Sequence, residues 1–535
     1  MKYAQLNKLC ALKNRLWKTT AFLAIAAAVL VTPGVASGTV STIIDPPCNL
    51  KGGTPSVTIC TPGAAAVLSL PVHIVAGVKD SQPVSSMTLT IDGVQITKST
   101  TYPLDIYVSS LAAGPHSATV KVVDAAGVSF GKSFKFTVTN NAGLNNIRHI
   151  IFFMQENHSF DNYFGMLGYY RASKGLPNNI DGVTPSLVQY TNTGQPVHPF
   201  HFQTLCIDGV VPYWTQSWQD VDGGMMDRFI RAAPGNPNDP QGTRTMGYYD
   251  QTDLPYYYEL ATQFATSDRF FSSVLSRTIP NRMYLFAGTS FGHVDPDPPP
   301  SGGWPQPTIF DHLDAAGVSW TYYYQDNGIY LPEWTTYQRD AGKLRPISSW
   351  YTDMQNEATW PSVIFIERGG PSGLDEHPNT FIQKGAANTT KILNALLASP
   401  AWASSVFIET FDEFGGQYDH VIPARMVPPD NIAPILAPSE PPGDFAHSGF
   451  RVPFVIVSPW VKPHFVSHTT RDFGSILRLI EDRFGVAPLT ARDATADNMM
   501  EFFNFSTPYW LTPPPLPVQP TNGVCNPSLE KAPGF

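Results

Sequence analysis

One stretch of the chain decides the fold class: Ser405-Val406-Phe407-Ile408-Glu409-Thr410-Phe411-Asp412-Glu413-Phe414-Gly415-Gly416. Its apolar first part is typical of a strand that is buried in a parallel sheet. Two adjacent acids, Asp412 and Glu413, then end the strand, and the two glycines after them permit close approach of another backbone. Because buried carboxylates are costly unless they bind a cation or are well hydrogen-bonded, the stretch predicts a functional site at a strand end.

Three further apolar runs resemble this strand and lie at residues 150–154, 363–366 and 452–457. Helical stretches separate them, such as residues 389–397 and residues 473–484, where apolar side chains recur on one helix face. Alternating buried strands and helices predict an α/β domain with a mostly parallel sheet and flanking helices. Such sheets carry their sites at the carboxyl ends of the strands.

The run at residues 150–154 is followed directly by Glu156 and Asn157. A carboxylate and an amide oxygen at a strand end are ligands that hard divalent cations prefer. Alternatively, this segment is a polar loop that caps the next helix, with Ser159 or Asp161 as the capping residue.

Two other polar clusters add a hydroxyl and an imidazole. Thr278 lies between two apolar segments, and a hydroxyl becomes a nucleophile when a base or a metal lowers its pKa. His377 lies in the sequence Asp375-Glu376-His377-Pro378 and could bind a metal or donate to a phosphate oxygen. Taken alone, each residue is better explained as part of a structural turn. Together with the oxygen ligands, they suit metal-assisted phosphoryl transfer.

The ordered clusters resemble the motifs of the bacterial phosphoesterase family, which includes phosphatidylcholine-type phospholipases C and secreted acid phosphatases. Residues 156–161 (ENHSFD) look like its ENRSFD motif, residues 278–282 (TIPNR) like GPTxPNR, residues 376–378 (EHP) like EHP, and residues 412–421 (DEFGGQYDHV) like DEHGGxYDHV. The resemblance covers roughly residues 146–505. It implies an alkaline-phosphatase-like α/β core.

The resemblance also implies residue roles. Thr278 would be the nucleophile, and His377 would contact the phosphate and protonate the leaving oxygen. Asn281 would contribute to substrate binding. A divalent metal ion of unknown identity would be held by Glu156, Asn157, Thr278, Asp412 and Glu413.

The sequence departs from the family at one position, where Trp218 stands in place of a second histidine. Indole cannot take up a proton or ligate a metal. Trp218 could instead contact substrate, since aromatic rings bind a choline group by cation–π contact. The histidines that could substitute are His198, His201 and His293. Alternatively, protonation of the leaving group is weaker here, or the substrate has a good leaving group.

Three functions remain open on this basis. A phospholipase C-like phosphodiesterase is favoured by the threonine at position 278, because the acid phosphatases of the family carry serine there. A secreted acid phosphatase that cleaves monoesters is the alternative within the family. The non-enzymatic alternative is a catalytically degenerate surface or binding protein on the same scaffold.

The chain divides into four predicted segments. Residues 1–37 have the basic, apolar and small-residue order of an export signal, and an uncleaved anchor is the alternative. Residues 38–141 have short alternating strands and a hairpin signal at Asp92-Gly93, which predict an immunoglobulin-like β-sandwich. Residues 146–510 form the catalytic domain, and residues 511–535 a proline-rich tail. We expect the sandwich to be a spacer, with cell-surface attachment or carbohydrate contact as alternatives.

Cysteine placement agrees with a secreted, periplasmic or cell-surface location. A bridge between Cys48 and Cys60 would pin the start of the mature chain. Cys206 and Cys525 would then pair by elimination and tie the tail to the catalytic domain, although the sequence alone leaves the pairing open.

Composition excludes several classes of protein. The 535 residues carry 14% charged residues and a net charge of −9, which argues against a coiled coil, a charged disordered chain and a nucleic-acid-binding protein. The 50 prolines indicate long ordered loops. Two of them, residues 295–307 and 428–442, could shape the entrance for a phosphoester or phospholipid substrate. The sequence does not indicate an oligomeric state.

Overall fold

The computed structural model describes residues 50–63, 66–68, 72–100, 102–108, 111–138, 141–295 and 297–535. The predicted export segment and Cys48 therefore lie outside the described residues. No helix within the described ranges is both long enough and apolar enough to cross a membrane.

The first part of the described chain is a sandwich of two sheets. One sheet has the strand order β1-β3-β6 and the other β2-β8-β7-β4-β5. Alternate side chains of both sheets meet in one core that includes Ile74, Leu89 and Val120. The strands are β1 (Ser56–Thr61), β2 (Val67–Leu68), β3 (Val72–Lys79), β4 (Val84–Ile91), β5 (Val94–Ser99), β6 (Leu104–Val108), β7 (Gly114–Asp124) and β8 (Ser129–Val138).

The predicted hairpin turn joins β4 to β5. Asp92 and Gly93 both adopt positive φ, at 49° and 83°, as a two-residue turn of this kind requires. The immunoglobulin-like all-β prediction is confirmed for this part of the chain.

The second part is built on a mixed sheet of eight strands in the order β16-β15-β17-β9-β18-β19-β14-β20. Strand β19 is antiparallel to both of its neighbours, and the other neighbouring pairs are parallel. The strands of this part are β9 (His149–Gln155), β10 (Gln189–Tyr190), β11 (Pro196–Val197), β12 (Phe200–His201), β13 (Gly247–Tyr248), β14 (Ala265–Ser267), β15 (Trp320–Tyr324), β16 (Leu344–Pro346), β17 (Val363–Ile366), β18 (Ser405–Phe411), β19 (Phe454–Val457) and β20 (Phe465–Ser467).

The α-helices accompany this sheet and confirm the predicted α/β class. The predicted helix at residues 473–484 begins after Asp472, whose side chain accepts from the N–H of Gly474, and it ends at Gly485 with φ 68°. The helices are α1 (Phe160–Phe164), α2 (Leu167–Ser173), α3 (Trp214–Val221), α4 (Phe229–Ala232), α5 (Pro255–Gln263), α6 (Thr278–Ala287), α7 (Ile309–Ala315), α8 (Thr335–Asp340), α9 (Trp350–Asp353), α10 (Ile382–Leu397), α11 (Phe473–Phe484) and α12 (Ala491–Thr495).

Strands β9, β17 and β18 position the site because they are central, parallel and fully buried. β9 pairs with β17 on one side and β18 on the other, with Gln155 level with Phe411. The residues that follow all three strands therefore reach the same edge of the sheet.

The C-terminal tail returns to the catalytic part. A disulfide joins Cys206 to Cys525 across 319 residues of sequence, with their Cα atoms 5.1 Å apart. This is the pairing that elimination among the cysteines predicted.

Candidate active site

The ends of β9 and β18 bring two predicted acidic segments together. The N–H of Asp412 donates to the carbonyl of Gln155 at 3.1 Å, which continues the strand pairing by one residue. Asp412 Oδ1 then accepts from the N–H groups of Asn157 at 2.9 Å and Glu413 at 2.8 Å. The predicted ligands Glu156, Asn157, Asp412 and Glu413 are thus neighbours, and all four are buried.

Gly415 lets the second loop pass close to the first. It adopts φ 67°, and a Cβ atom at this position would lie 2.1 Å from the carbonyl oxygen of Asn157. Its N–H donates to Glu413 Oε2 at 2.7 Å, while Glu413 Oε1 accepts from the Asn157 amide. The glycine after the paired acids is therefore required by a close backbone approach.

Thr278 is the first residue of helix α6 and is largely buried, with 8% of its surface exposed. Its hydroxyl donates to Glu156 Oε2 at 3.4 Å. The same hydroxyl also faces Asp412, where burial raises the pKa of the carboxyl and the hydroxyl partly offsets that rise. The hydroxyl therefore faces the acidic centre from the positive end of a helix, where negative charge is favoured.

The three carboxylates have different electrostatic environments. Although burial opposes ionisation, Arg368 and then Arg282 hold the pKa of Glu156 below its usual range. Burial, followed by the charge of Glu156, raises the pKa of Asp412 to about 7. Burial and the charge of Asp412 raise the pKa of Glu413 well above its usual range.

A divalent cation fits these residues. Asp412 Oδ2 and Asn157 Oδ1 are buried and have no hydrogen-bond partner, which is uncommon for polar atoms in an interior. Both atoms are oxygens of the type that hard divalent cations bind. The crowded carboxylates of Asp412 and Glu413 would ionise readily beside such a charge.

Two arginines complete the centre, and sequence reasoning assigned no role to either. Arg282, on α6, donates to Glu156 Oε1 and Glu367 Oε1 at 2.8 Å each. Arg368 Nε lies 2.5 Å from Glu156 Oε1, and its Nη1 donates to Asp375 Oδ2 at 3.1 Å. Glu367 and Arg368 follow the predicted strand at residues 363–366, so the strand-end rule that located Glu156 could have located them too.

His377 lies at the same centre. Its charge is a further cause of the lowered pKa of Glu156. Nδ1 hydrogen-bonds with Asn379 Oδ1 at 2.9 Å, and the backbone N–H donates to Asp375 Oδ1 at 3.3 Å. Because Nδ1 is engaged with Asn379, Nε2 is the nitrogen that can serve a substrate.

The side chain of Asn281 is hydrogen-bonded to the backbone of the loop before α6. It is fully buried, and its Oδ1 accepts from the N–H groups of Ser273 and Val274. Its Nδ2 donates to three backbone carbonyls, of which Ser276 is the nearest at 2.8 Å. These bonds hold the loop that leads into Thr278, and a contribution of Asn281 to substrate binding stays a prediction.

Trp218 is half-buried on α3 and packs against other rings. Its ring centroid lies 5.4 Å from that of Trp214 and 6.1 Å from that of His447. The connection to the site is one turn earlier, where the guanidinium of Arg277 lies over the ring of Tyr213 at 4.4 Å. The described contacts of Trp218 are therefore packing contacts.

The three substitute histidines are engaged elsewhere. His198 hydrogen-bonds with the carbonyl of Leu187, and His293 with Asp297. His201 contacts Asp253 at 2.7 Å and Asp250 at 3.7 Å, a half-exposed group of potential metal ligands that is separate from the predicted set. Within the part of the chain that the structure describes, none of these histidines has a hydrogen bond or ion pair with Thr278, Asp412 or Glu413.

A buried ion network includes Asp161, which belongs to the same segment as Glu156 and Asn157. His420 contacts Asp161 Oδ2 at 2.6 Å and Asp181 Oδ1 at 3.0 Å, and Arg451 bonds both Asp161 and Asp419 at 2.9 Å. Burial opposes protonation, but Asp161 and Asp181 outweigh it and raise the pKa of His420 to about 9.

The alternative role of the first acidic segment is also observed. Ser159 is the N-cap of α1 and accepts from the N–H of Asn162 at 3.1 Å. The helix cap and the predicted oxygen ligands Glu156 and Asn157 thus occur in the same segment.

Comparison with known proteins matches both parts of the chain. Residues 147–487 match the Phosphoesterase family, and residues 55–120 match a bacterial Ig domain. Phospholipase C B of Mycobacterium tuberculosis is 31% identical over 421 residues, which cover 68% of this chain and 79% of that protein.

Phospholipases C from two other organisms also match this chain. Non-specific phospholipase C4 of Arabidopsis thaliana is 32% identical over 372 residues, covering 62% of this chain and 65% of that protein. Non-hemolytic phospholipase C of Pseudomonas aeruginosa is 27% identical over 418 residues, which cover 69% of this chain and 58% of that protein.

Proposed function

The chain belongs to the phosphoesterase family, whose members hydrolyse phosphate ester bonds, and on that premise we propose that it is an exported, metal-dependent, phospholipase C-like phosphodiesterase with Thr278 as its nucleophile. The phosphodiesterase assignment is supported by the names of the relatives, which are phospholipases C. Export is supported by the basic and then apolar order of residues 1–37 and by the Cys206–Cys525 disulfide.

The observation that carries the proposal is the position of the Thr278 hydroxyl. It lies at the start of α6 and within hydrogen-bond reach of Glu156, next to Asp412. A nucleophile needs an adjacent base or cation, and this hydroxyl has a carboxylate as its acceptor. It is also placed where a helix N-terminus favours the charge that a phosphoryl group brings.

The residues that would hold the cation are Glu156, Asn157, Thr278, Asp412 and Glu413. When bound, a divalent cation would polarise the phosphoryl oxygen and favour the ionised form of the hydroxyl. Arg282 and Arg368 keep Glu156 ionised without the cation, so one ligand is ready for binding.

Catalysis would take place in two displacements. Thr278 Oγ1 forms a bond to phosphorus and the bond from phosphorus to the leaving alcohol oxygen breaks, which leaves a phosphorylated threonine. Its hydroxyl proton passes to a neighbouring carboxylate, for which Glu156 Oε2 at 3.4 Å is the described acceptor. Water then attacks the same phosphorus, the Thr278 Oγ1–P bond breaks as the proton held by Glu156 returns to Oγ1, and a phosphomonoester is released.

His377 would supply the proton that the leaving oxygen needs. An alkyl alcohol is a poor leaving group unless it is protonated as the bond breaks. The protonated imidazole gives its Nε2 proton to that oxygen and takes one back from the attacking water. Thr278 and His377 therefore return to their starting protonation states after one turnover.

The test is a substrate panel with two variants, Thr278→Ala and Thr278→Ser. We expect Thr278→Ala to lower kcat on p-nitrophenyl phosphorylcholine by a factor on the order of 10³ or more, whereas Thr278→Ser keeps measurable turnover. Unchanged turnover of Thr278→Ala would contradict the nucleophile assignment. Preference for p-nitrophenyl phosphate would favour a monoesterase, and inactivity of the metal-loaded protein on every phosphoester would favour a binding protein.

The proposed segments keep the boundaries expected from the sequence. We propose a catalytic domain at residues 146–510 and a sandwich domain at residues 38–141, and the family matches at 147–487 and 55–120 support the inner part of each. We assign the sandwich a spacer role, which is supported by the pairing of its histidines with single carboxylates, His116 with Asp92 and His73 with Asp105.

A further inference from the structure

We propose that Glu530, in the C-terminal tail, and Arg244 are positioning residues for His377, acting through the turn at Asp208 and Gly209. The inference rests on the proposed role of His377 as proton donor to the leaving group. It is carried by contacts that link the tail to this turn and the turn to the imidazole.

The turn lies against the site. A Cβ atom on Gly209 would be 3.8 Å from His377 Cε1, which is ordinary van der Waals contact. The N–H of Ile207 donates to the carbonyl of Pro378 at 2.9 Å, so the turn and the residue after His377 are hydrogen-bonded. On its other side, Val210 packs against Gly416, three residues after Glu413.

Arg244 and Glu530 satisfy the backbone of this turn. Arg244 Nε donates to the carbonyl of Asp208 at 2.9 Å, and Nη2 donates to that of Gly209 at 3.1 Å. Glu530 Oε2 accepts from the N–H of Asp208 at 2.5 Å. The turn lies outside the helices and strands, so its backbone groups depend on side-chain partners such as these.

The two positioning side chains are also held by each other and by their surroundings. Glu530 Oε1 lies 3.9 Å from Arg244 Nε and accepts from the Asn236 amide at 2.7 Å. Glu530 is fully buried and Arg244 is 1% exposed. A charged pair of this burial in a terminal tail is expensive to desolvate, which is consistent with a role beyond anchoring the chain end.

The disulfide holds the tail in register for this contact. Cys525 is bonded to Cys206, the N–H of Leu205 donates to the carbonyl of Val524 at 2.7 Å, and the N–H of Asn526 donates to Thr204 Oγ1 at 2.8 Å. Residues 524–526 therefore lie alongside residues 204–206, and Glu530 reaches the turn at Asp208 and Gly209.

Misplacement of a proton donor has a specific kinetic signature. A poor leaving group depends on protonation, whereas p-nitrophenolate leaves without it. A loosened His377 should therefore slow hydrolysis of a short-chain phosphatidylcholine, whose leaving group is an alkyl alcohol. It should leave hydrolysis of p-nitrophenyl phosphorylcholine almost unchanged, although both substrates have the same phosphorylcholine group.

The experiment compares Glu530→Gln with the adjacent exposed control Lys531→Gln in the full-length, metal-loaded protein. For Glu530→Gln we expect kcat on the short-chain phosphatidylcholine to fall about tenfold and kcat on p-nitrophenyl phosphorylcholine to fall less than about twofold. For Lys531→Gln we expect wild-type values on both. The Cys206→Ser/Cys525→Ser double variant loosens the same turn without changing Glu530, and we expect the same split.

The outcomes separate this inference from the proposed function. Suppose that the wild type hydrolyses both substrates. If Glu530→Gln and the double cysteine variant then lower kcat equally on the two substrates, or leave kcat unchanged, the positioning role is overturned and the proposed function stands. If the wild type hydrolyses neither substrate, the proposed function fails and this inference fails with it. If Glu530→Gln does not fold, the double cysteine variant decides by the same comparison.

Discussion

The backbone N–H of Asn157 donates to Asp412 Oδ1 at 2.9 Å, and this bond joins the ends of two parallel strands into one site. Asp412 Oδ2, the other oxygen of the same carboxylate, is buried without a hydrogen-bond partner, and Arg282 Nε lies 3.9 Å from it. One oxygen thus fixes the loop and the other is left for a ligand.

Asp412→Asn tests that division of roles. We expect affinity for divalent cations to fall on the order of 100-fold, because loss of a ligand should cost at least as much as loss of an outer partner. We also expect the metal-free variant to be more stable at pH 8 than metal-free wild type, since burial raises the pKa of Asp412 to about 7 and ionising it is costly. Metal titration calorimetry and denaturant unfolding measure the two effects, with Asp80→Asn on the sandwich as control. A variant with wild-type metal affinity contradicts the ligand assignment.

Arg282→Gln should be strongly destabilising. It leaves the buried carboxylates of Glu156 and Glu367 without their shared cation, for which we expect a loss of about 3–5 kcal/mol in unfolding free energy. The control is Arg148→Gln, which removes an exposed ion pair with Glu357 and should cost less than about 1 kcal/mol. If urea unfolding shows equal losses of unfolding free energy for the two variants, the buried ion pairs of Arg282 contribute no more to stability than the exposed pair of Arg148.

Gly415→Ala separates steric conflict from backbone strain. Gly415 and Gly127 both adopt positive φ, at 67° and 81°, but a Cβ atom on Gly127 meets open space whereas one on Gly415 would overlap Asn157. We expect Gly127→Ala to cost about 1 kcal/mol from strain alone, and Gly415→Ala to cost more and also to weaken metal binding. Thermal unfolding with and without metal distinguishes them, and identical behaviour of the two variants would refute the close-approach argument.

His420 predicts a pH dependence of stability. The folded-state pKa of His420 is about 9 against an ordinary value of 6.5, so its contribution is complete below pH 6.5 and is lost as the pH rises toward 9. A shift of this size corresponds to about 3 kcal/mol. The difference in unfolding free energy between wild type and His420→Gln should therefore shrink between pH 6.5 and pH 9. The exposed His198→Gln serves as control, and a pH-independent difference would mean that His420 is not protonated in the network.

The sequence predicted those parts of the molecule in which one local pattern determines the structure. The apolar runs at 150–154, 363–366 and 405–410 became β9, β17 and β18, and the acids after two of them meet as the strand-end rule requires. Residues 452–457 read like the same kind of strand but β19 is antiparallel, because an apolar run does not encode direction.

Roles that depend on side-chain partners were harder to predict. The sequence did not indicate that the Asn281 amide hydrogen-bonds with the backbone of residues 273–277. Arg368 and Glu530 lie 212 and 374 residues from Glu156 in sequence, and only the folded chain brings Arg368 to that carboxylate and Glu530 to the turn beside His377. Long-range partners of this kind leave no periodicity or spacing in the sequence.

The most direct test of the central assignment is to trap the covalent intermediate on Thr278. The metal-loaded protein is mixed with p-nitrophenyl phosphorylcholine, quenched in acid within one turnover and digested for mass spectrometry. We predict a burst of p-nitrophenol and a phosphorylcholine adduct on the peptide that contains Thr278, both absent from Thr278→Ala. Steady turnover of the wild type with no burst and no adduct, together with an active Thr278→Ala variant, would contradict it.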